Sequence, residues 1–501
     1  MYELHIGVFD FWRLGDAEME NAAPEMHGRK AIYTSVEHID SGNVVKVLSD
    51  AYVKHLVNRK QIEYLYKYYR GIQPVLDRVK EIRPEICSKI VENRANAIVT
   101  FRVGYTVGKP IQYVSAISDK ETSDQIARLN DMLRLAGKAS KDKQLVEWQM
   151  ICGTDYRLVL PSSSKRIPFE IYTLDPRNTF VIYRNDVGHT PLAGVYYTVD
   201  DNENVSFYIY TSDGEFYKVD GWQSGKIVET RDYFLSQIPI IEYPLNNARM
   251  GAFEVVLPLL DQLNELDSDR IDSVMQNVQS LMIAYNCEFP DGTDANTIRQ
   301  AGMVVLKSIG ENKADMKIIG ETLQQSDTEV LKRDIIDSIN EIAGIPGQGN
   351  GYTGDSSNTG AVVLKNGWQG AETRAQDFET MFREPEQRTI ELLTEIANRL
   401  SDMNLEPEAV DVKFTRRNYE DLLSKSQTLV TMLGQDKIHP QCAYEACGLF
   451  VDTQDAYNMG MEWYEQVKEE QEEAEAEAQK QDQEGGSTYI KGYYQKRSDR
   501  K

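Results

Sequence analysis

Residues 252–286 read AFEVVLPLLDQLNELDSDRIDSVMQNVQSLMIAYN, and the architecture turns on how this stretch is read. Apolar residues fall at Leu259, Leu263, Leu266, Ile271, Val274, Val278, Leu281 and Tyr285, mostly in steps of three and four, the period of one helix face. The other face carries Asp261, Glu265, Asp269, Asp272 and Gln276, a pattern that reads as solvated. Pro258 is expected in the first turn or at a kink. At ~1.5 Å per residue, a helix over the whole stretch reaches roughly 50 Å. A helix that long with one apolar stripe needs neighbours along its length.

Downstream, residues 287–322 interrupt the helical pattern. They offer a turn-rich start (Pro290, Asp291, Gly292), a short helical piece near Ala295–Ala301, and strand candidates at Met303–Ser308 and Met316–Ile319. Ser326-Asp-Thr-Glu329 forms a capping box, so a second helix is expected from there to about Ala343, stopped by Gly344 and Pro346. The run GIPGQGNGYTGDSSNTG (residues 344–360) is too polar and glycine-rich to pack and is expected to be mobile. A third helix should open near Thr359 and continue past Phe382, with Gly367, Gly370 and Pro385 as points where it kinks.

Upstream, residues 1–44 show little periodicity and read as an extended arm. Residues 45–69 predict an amphipathic helix stopped by Gly71. A helical stretch around Lys89–Val99 is followed by Phe101–Tyr113, whose β-branched residues and glycines suggest strand and turn; residues 123–150 are helical again. From Tyr156 to Pro244 the period changes to two. Strands are expected at Tyr156–Leu160, Phe169–Thr173, Thr179–Tyr183, Gly194–Val199, Val205–Thr211, Glu215–Val219 and Ile238–Tyr243, in an antiparallel sheet. After the third helix come a short strand at Val410–Phe414 and, from Tyr419, three helices punctuated by Gly434, Pro440 and Gly448. The last dissolves into the Glu/Gln/Ala/Lys run 469–484, ahead of a basic, Tyr-rich tail.

The bulk numbers limit the function. The chain has 501 residues, enough for several units at roughly 100–200 residues each. It is 27% charged, and no apolar run approaches the ~20 residues that cross a bilayer. The opening MYELHIGVFDFWRLGDAEME lacks a basic region followed by an apolar core, so no signal peptide is expected and the chain should stay in the cytoplasm where it is made. A net charge of −24 argues against coating nucleic acid by counterion release, though not against a surface that DNA slides past without sticking. The five scattered cysteines argue against a disulfide framework.

Catalytic and cofactor patterns fail on context. Gly349-Asn-Gly-Tyr-Thr-Gly354 has the letters of a dinucleotide fingerprint, but a capped helix precedes it where a strand is required. No Walker A exists, no histidine pair has metal-ligand spacing, and no Gly-x-Ser-x-Gly elbow is present. No catalytic, cofactor or metal site is therefore assigned, and the chain is read as a structural subunit and not an enzyme. A helical adaptor that never touches DNA is the main alternative; a carboxylate-metal nuclease is a further one.

The order of segments resembles the portal proteins of tailed bacteriophages, of the siphophage type. The likeness is carried by Tyr68-Tyr-Arg-Gly71, by Lys89-Ile-Val-Glu-Asn-Arg-Ala-Asn-Ala-Ile-Val99 with Val103-Gly-Tyr-Thr-Val-Gly-Lys-Pro110, and by Asp175-Pro-Arg-Asn-Thr-Phe-Val-Ile-Tyr183. Ile238-Pro-Ile-Ile-Glu-Tyr243, Asn358-Thr-Gly-Ala-Val-Val-Leu-Lys365 and Phe414-Thr-Arg-Arg-Asn418 complete it. It covers roughly Tyr68 to Tyr464, and Gly367-Trp-Gln-Gly370 departs from it by being richer in glycine.

The resemblance implies an α+β portal fold with an N-terminal arm (1–44) and an antiparallel β-rich wing (45–250). It implies long stem helices (252–286 and 323–343), a small α/β clip (287–322), a tunnel loop (344–357), a kinked wing helix (358–405), a helical C-terminal crown (406–480) and a tail (481–501). It further implies a ring of about twelve copies at one capsid vertex. Double-stranded DNA would pass through the ring without sequence specificity, and the ring would nucleate head assembly. The implied partners are the terminase large subunit, the major capsid and scaffold proteins, and a head–tail adaptor, with no membrane and no cofactor. The loop residues Gly347, Gln348, Gly349, Asn350, Gly351, Tyr352 and Thr353 would lie nearest the DNA, with Lys332 and Arg333 as stem contacts. Asp291, Asp294, Arg299, Lys307 and Lys313 would meet partners at the clip.

Overall fold

The computed structural model describes residues 28–81, 83–117, 119–164, 166–222, 225–278, 281–285, 287–288, 307–308, 315–319, 325–347, 368–415, 422–450 and 453–483. Strand β1 (Ile32–Thr34) leads into helix α1 (Val44–Tyr69), which ends where the sequence places its stop, at Gly71 with φ +91°. Helix α2 spans Arg94–Thr106. Its N-cap is Asn93, whose side chain accepts the Asn96 amide at 3.2 Å. The expected strand over Phe101–Tyr113 is thus corrected to helix as far as Thr106. Ala95, Ile98, Val99 and Val103 are buried at helical spacing, and only Gln112–Ser115 (β2) is extended. The helical span 123–150 divides at Gly137 (φ +71°) into α3 (Lys120–Leu135) and α4 (Lys138–Cys152).

The β region forms two sheets. One contains β3 (Thr154–Pro161), β4 (Phe169–Leu174) and β10 (Ile240–Pro244), ordered β10-β3-β4. The other contains β5 (Thr179–Arg184), β6 (Pro191–Val199), β7 (Val205–Thr211), β8 (Glu215–Asp220) and β9 (Lys226–Asp232), with β1 on its far edge. All pairs in both sheets are antiparallel except β1–β5, which is parallel. Strands β1 and β9 were not expected from the sequence pattern.

Helix α5 (Leu257–Val278) is shorter than the 35-residue pattern suggested. Leu281–Tyr285 leaves the helix as β11 and pairs antiparallel with β14 (Asp315–Ile319). Only Ile283 and Tyr285 in this run are strong β formers, so pairing with β14, and not local preference, takes it out of the helical period. Beside it, β12 (Cys287–Glu288) pairs with β13 (Lys307–Ser308). Helix α6 (Gln325–Ala343) starts one residue before the capping-box serine. Helix α7 (Trp368–Leu400) runs unbroken through Pro385. Strand β15 (Val410–Lys413) pairs with β2, and α8 (Leu422–Leu433), α9 (Pro440–Cys447) and α10 (Thr453–Gln483) follow.

Three cores organise these elements. The largest joins the second half of α1 to α2, α3, α4, the first turns of α5, the end of α6, α7 and β15, through residues such as Tyr68, Phe253, Leu263, Ile339 and Phe382. The second seals the first half of α1 on the six-stranded sheet, with Leu48 and Tyr52 against Phe180, Tyr197 and Phe207. The third lies between the two sheets, around Tyr156, Val181, Phe216 and Ile240. One helix, α1, therefore ties the β region to the helical one.

Candidate functional site

The long-helix hairpin begins with α5, whose polar side chains divide between two neighbours. Asn264, Ser268 and Asp272 lie one helical turn apart, about 6 Å per step. Asn264 Oδ1 accepts the Glu92 amide at 2.8 Å, Ser268 Oγ the Ile90 amide at 3.0 Å, and Asp272 Oδ1 the Ser88 amide at 2.7 Å. Alternate residues of an extended chain are about 6.6 Å apart, so the two periods nearly match. The segment 88–92 is zipped onto α5 by backbone donors that no sheet uses. Tyr68 donates to Asp261 at 2.8 Å, and Arg78 and Lys80 reach Asp269 and Asp272. Burial pushes the Asp272 carboxyl up, but hydrogen bonds from Lys80 and Ser88 outweigh it and leave it below the ordinary value. The reading of this face as solvated is therefore corrected for Asp261 and Asp272: Asp261 holds the end of α1 through Tyr68, and Asp272 holds the segment 78–88.

A second face of α5 meets α6. Arg270 pairs with Glu329 at 2.9 Å and Lys332 with Asp267 at 2.8 Å. The partners step by three in opposite directions, which defines an antiparallel hairpin. The β11–β14 pair sits at one end of it. Lys332 also reaches Glu92 at 3.0 Å, so its charge is committed to two carboxylates of its own chain. Arg333 is exposed.

At the other end of the hairpin, α6 stops on Gly344 (φ +66°), with Ile345 N–H bonded back to Asn340 O at 2.8 Å. Two arginines close its C-terminus: Arg102 of α2 donates to Ala343 O at 2.7 Å, and Arg374 of α7 to Ile342 O at 2.6 Å. Cations there complement the negative end of the helix dipole. Burial, and then the neighbouring Arg374 charge, lower the Arg102 pKa to about 10. The left-handed backbone favours glycine at 344, and a Cβ there, 2.4 Å from Arg374 Cδ, would push that side chain aside.

Helix α7 is anchored by a cluster that sequence reasoning missed. Glu386 is fully buried and accepts from Lys138 at 2.7 Å, Arg157 at 2.8 Å, Tyr113 at 2.7 Å and Tyr243 at 2.7 Å. Asp142 completes the balance of two positive and two negative charges, taking Lys138 at 2.8 Å and a second Arg157 nitrogen. Burial alone would raise the Glu386 pKa; the Lys138 and Arg157 charges prevail and hold it at about 2. The members come from β2, α4, β3, β10 and α7, with only Lys138 and Asp142 sharing a helix, so only the fold reveals them as a set.

Of the residues expected to act, Lys332, Arg333 and Gly347 are described. Gly347 is exposed, and a Cβ there would meet nothing within 4 Å among the described residues. Lys307 lies in β13. Gln348, Gly349, Asn350, Gly351, Tyr352 and Thr353 lie outside the described residues, as do Asp291, Asp294, Arg299 and Lys313. The N-terminal arm up to residue 27, residues 359–367 and the tail from 484 also lie outside them. Among the described residues, no group of three His, Cys, Asp or Glu is placed to hold a metal ion, and no helix is long and apolar enough to cross a membrane.

Residues 51–484 match the family described as phage portal protein, SPP1 Gp6-like. The chain belongs to that phage portal family. The portal chain has no match among curated proteins. One similar solved structure is a chain of "Neck of empty GTA particle computed with C6 symmetry", with 13% identity, TM-score 0.41, and coverage of 71% of the portal chain and 90% of that chain. Membership makes the protein a portal ring subunit of the virion, from a family whose role is structural.

Proposed function

We propose that the α5–α6 hairpin and the loop after Gly344 line a channel through which double-stranded DNA enters and leaves the capsid. The observation that carries this reading is the hairpin itself: two antiparallel helices, with paired strands at one end and an arginine-clamped loop root at the other. The paired-strand end, with Asp291, Asp294, Arg299, Lys307 and Lys313, docks the terminase large subunit and then the head–tail adaptor. Gly347–Thr353 lies nearest the DNA, and Arg333 supplies a screened, sequence-independent attraction to phosphate. Lys332 contributes less there, since Asp267 and Glu92 already neutralise it. The ring forms in the host cytoplasm with the major capsid and scaffold proteins. The chain itself does no chemistry.

Deleting Gly347–Tyr352 tests the reading. Rings seen end on by negative-stain microscopy should persist while DNA packaging falls. Normal packaging after the deletion would move the protein to the adaptor class. Monomers or dimers alone, across salt and concentration, would remove the channel altogether.

A further inference from the structure

A cavity of about 500 Å³ opens beside the clamped end of α6. Its walls include Phe101, Arg102 and Tyr105 of α2, Met250 of the loop before α5, and Arg374 and Phe378 of α7. It combines aromatic surface with two guanidinium groups and one carboxylate, Asp377, so its charged lining is positive by one. Arg102 Nε is buried and has no hydrogen-bond partner among the described residues. An ordinary apolar void needs no such group, and a buried donor left unmatched is destabilising.

The described chain begins at the edge of this cavity. Gly28 N–H donates to Glu254 Oε1 at 3.2 Å and Arg29 N–H to Arg249 O at 3.1 Å. A Cβ at Gly28 would fall 1.8 Å from Ala248 O, so residue 28 lies hard against the loop whose Ala248, Met250 and Gly251 line the cavity. The 27 residues before it therefore arrive at the cavity rim. They contain six carboxylates (Glu3, Asp10, Asp16, Glu18, Glu20, Glu25) and a single arginine, Arg13. Phe9-Asp10-Phe11-Trp12 sets one of those carboxylates among three aromatic rings.

We infer that the N-terminal arm of this chain folds back in cis and seats Phe9–Trp12 in the cavity, with Asp10 facing Arg102 and Arg374. Aromatic rings meet Phe101, Tyr105 and Phe378, and the acid meets the two cations. The fifteen residues from Arg13 to His27 span up to roughly 50 Å when extended, far more than a return from the rim requires. Tethering at the rim supplies a local concentration on the order of mM, so a modest intrinsic affinity fills the site. The seated arm then braces the two arginines that hold the end of α6.

The test uses the full chain with Trp12→p-benzoylphenylalanine, photo-crosslinked and mapped by peptide mass spectrometry. The expected product runs as a single chain on a denaturing gel, with the crosslink on residues 101–106, 248–255 or 371–378. In the same protein, Phe9→Ala or Asp10→Lys lowers its yield about five-fold. These changes lie in the arm, outside the folded body, so the fold stays intact and the yield reports seating alone. Crosslinks to other surfaces, a product of two chains, or a yield unmoved by both substitutions would overturn the inference. None of these readouts involves DNA, so the result stands apart from the channel reading.

Discussion

The regions we propose as wing (residues 45–250 with 358–405) and as stem (α5 and α6) are both fastened by charged side chains, and they are fastened differently. Around Glu386 four ionised groups are almost wholly out of water, with Arg157 and Glu386 side chains at 0% exposure. Along α5 the pairs are mixed: Asp267 and Asp272 are 11% and 4% exposed, but Asp269 is 59% exposed and Glu329, across from Arg270, 50%. A buried ion pair is valuable only when complete, because any member left alone keeps its full desolvation cost. A half-exposed pair can break and find water at little cost. The Glu386 cluster is accordingly built to stay intact, whereas the outer pairs of α5 can break without unfolding the chain.

The largest effect should come from breaking the wing cluster. Glu386→Ala leaves Lys138 and Arg157 facing Asp142 alone, and Tyr113 and Tyr243 lose their acceptor. Urea unfolding should show a loss of about 3–5 kcal/mol, the range for a buried pair deprived of one partner. A loss under about 1 kcal/mol would erase the contrast with the stem.

The wing also carries a pH dependence. His55 is buried between Phe180 and Tyr197, with Nε2 at 3.0 Å from Arg177 O, so the neutral ring donates to that carbonyl. Burial, aided by the Arg59 charge, lowers its pKa from 6.5 to about 4. As pH falls below 6.5 the unfolded chain takes up a proton that the native one refuses until about 4. Stability should therefore decline across that window, by about 2 kcal/mol between pH 6.5 and 5. Asp155 works in the opposite sense, because burial raises its pKa. His55→Gln leaves Asp155 in place. The pH 7.5-to-5 change in unfolding free energy, from urea titrations, should thus be smaller in the variant than in the native chain by that amount; equal changes would exclude His55.

The same contrast explains what could be read in advance. Helices α1 and α6 repeat their apolar residues over many turns and end on Gly71 and Gly344, so local chemistry suffices. Strand β7 is bounded as read because Val205–Thr211 alternates between turns. Strand β9 is a largely exposed edge, KIVETRD, with no apolar alternation to betray it, and β1 is three residues whose partner lies about 150 positions away. Leu281–Tyr285 continued a helical period although its partner is 315–319. Glu386, Arg157, Lys138 and Asp142 each look like ordinary surface charges, and Asp272 like one more member of a wet face. Their roles arise from neighbours supplied by distant segments, which a linear pattern does not contain.

Between wing and stem stands the root of the loop, and Gly344→Ala should have an intermediate effect. A left-handed residue with a Cβ costs about 1–2 kcal/mol, and the new methyl must also displace Arg374 from its 2.4 Å approach. Hydrogen exchange should locate the loss at the last turn of α6, with the amides of α4 and α7 unmoved. Protection lost evenly across the chain would mean that the root is part of the wing's cooperative unit.

The smallest effect belongs to Arg270–Glu329, the outer rung of the hairpin. Both side chains are partly in solvent, at 31% and 50% exposure, so Coulomb attraction is screened and the ordering of two long side chains offsets much of it. A double-mutant cycle with Arg270→Ala and Glu329→Ala should give a coupling of about 0.2–1 kcal/mol. It should shrink as salt rises and the Debye length falls from about 10 Å at 0.1 M to about 3 Å at 1 M. The Glu386 effect, out of reach of mobile ions, should hardly change over the same range. A salt-insensitive coupling at Arg270–Glu329 would mean that this rung is desolvated when the chain is in its ring, and that the stem is held as rigidly as the wing.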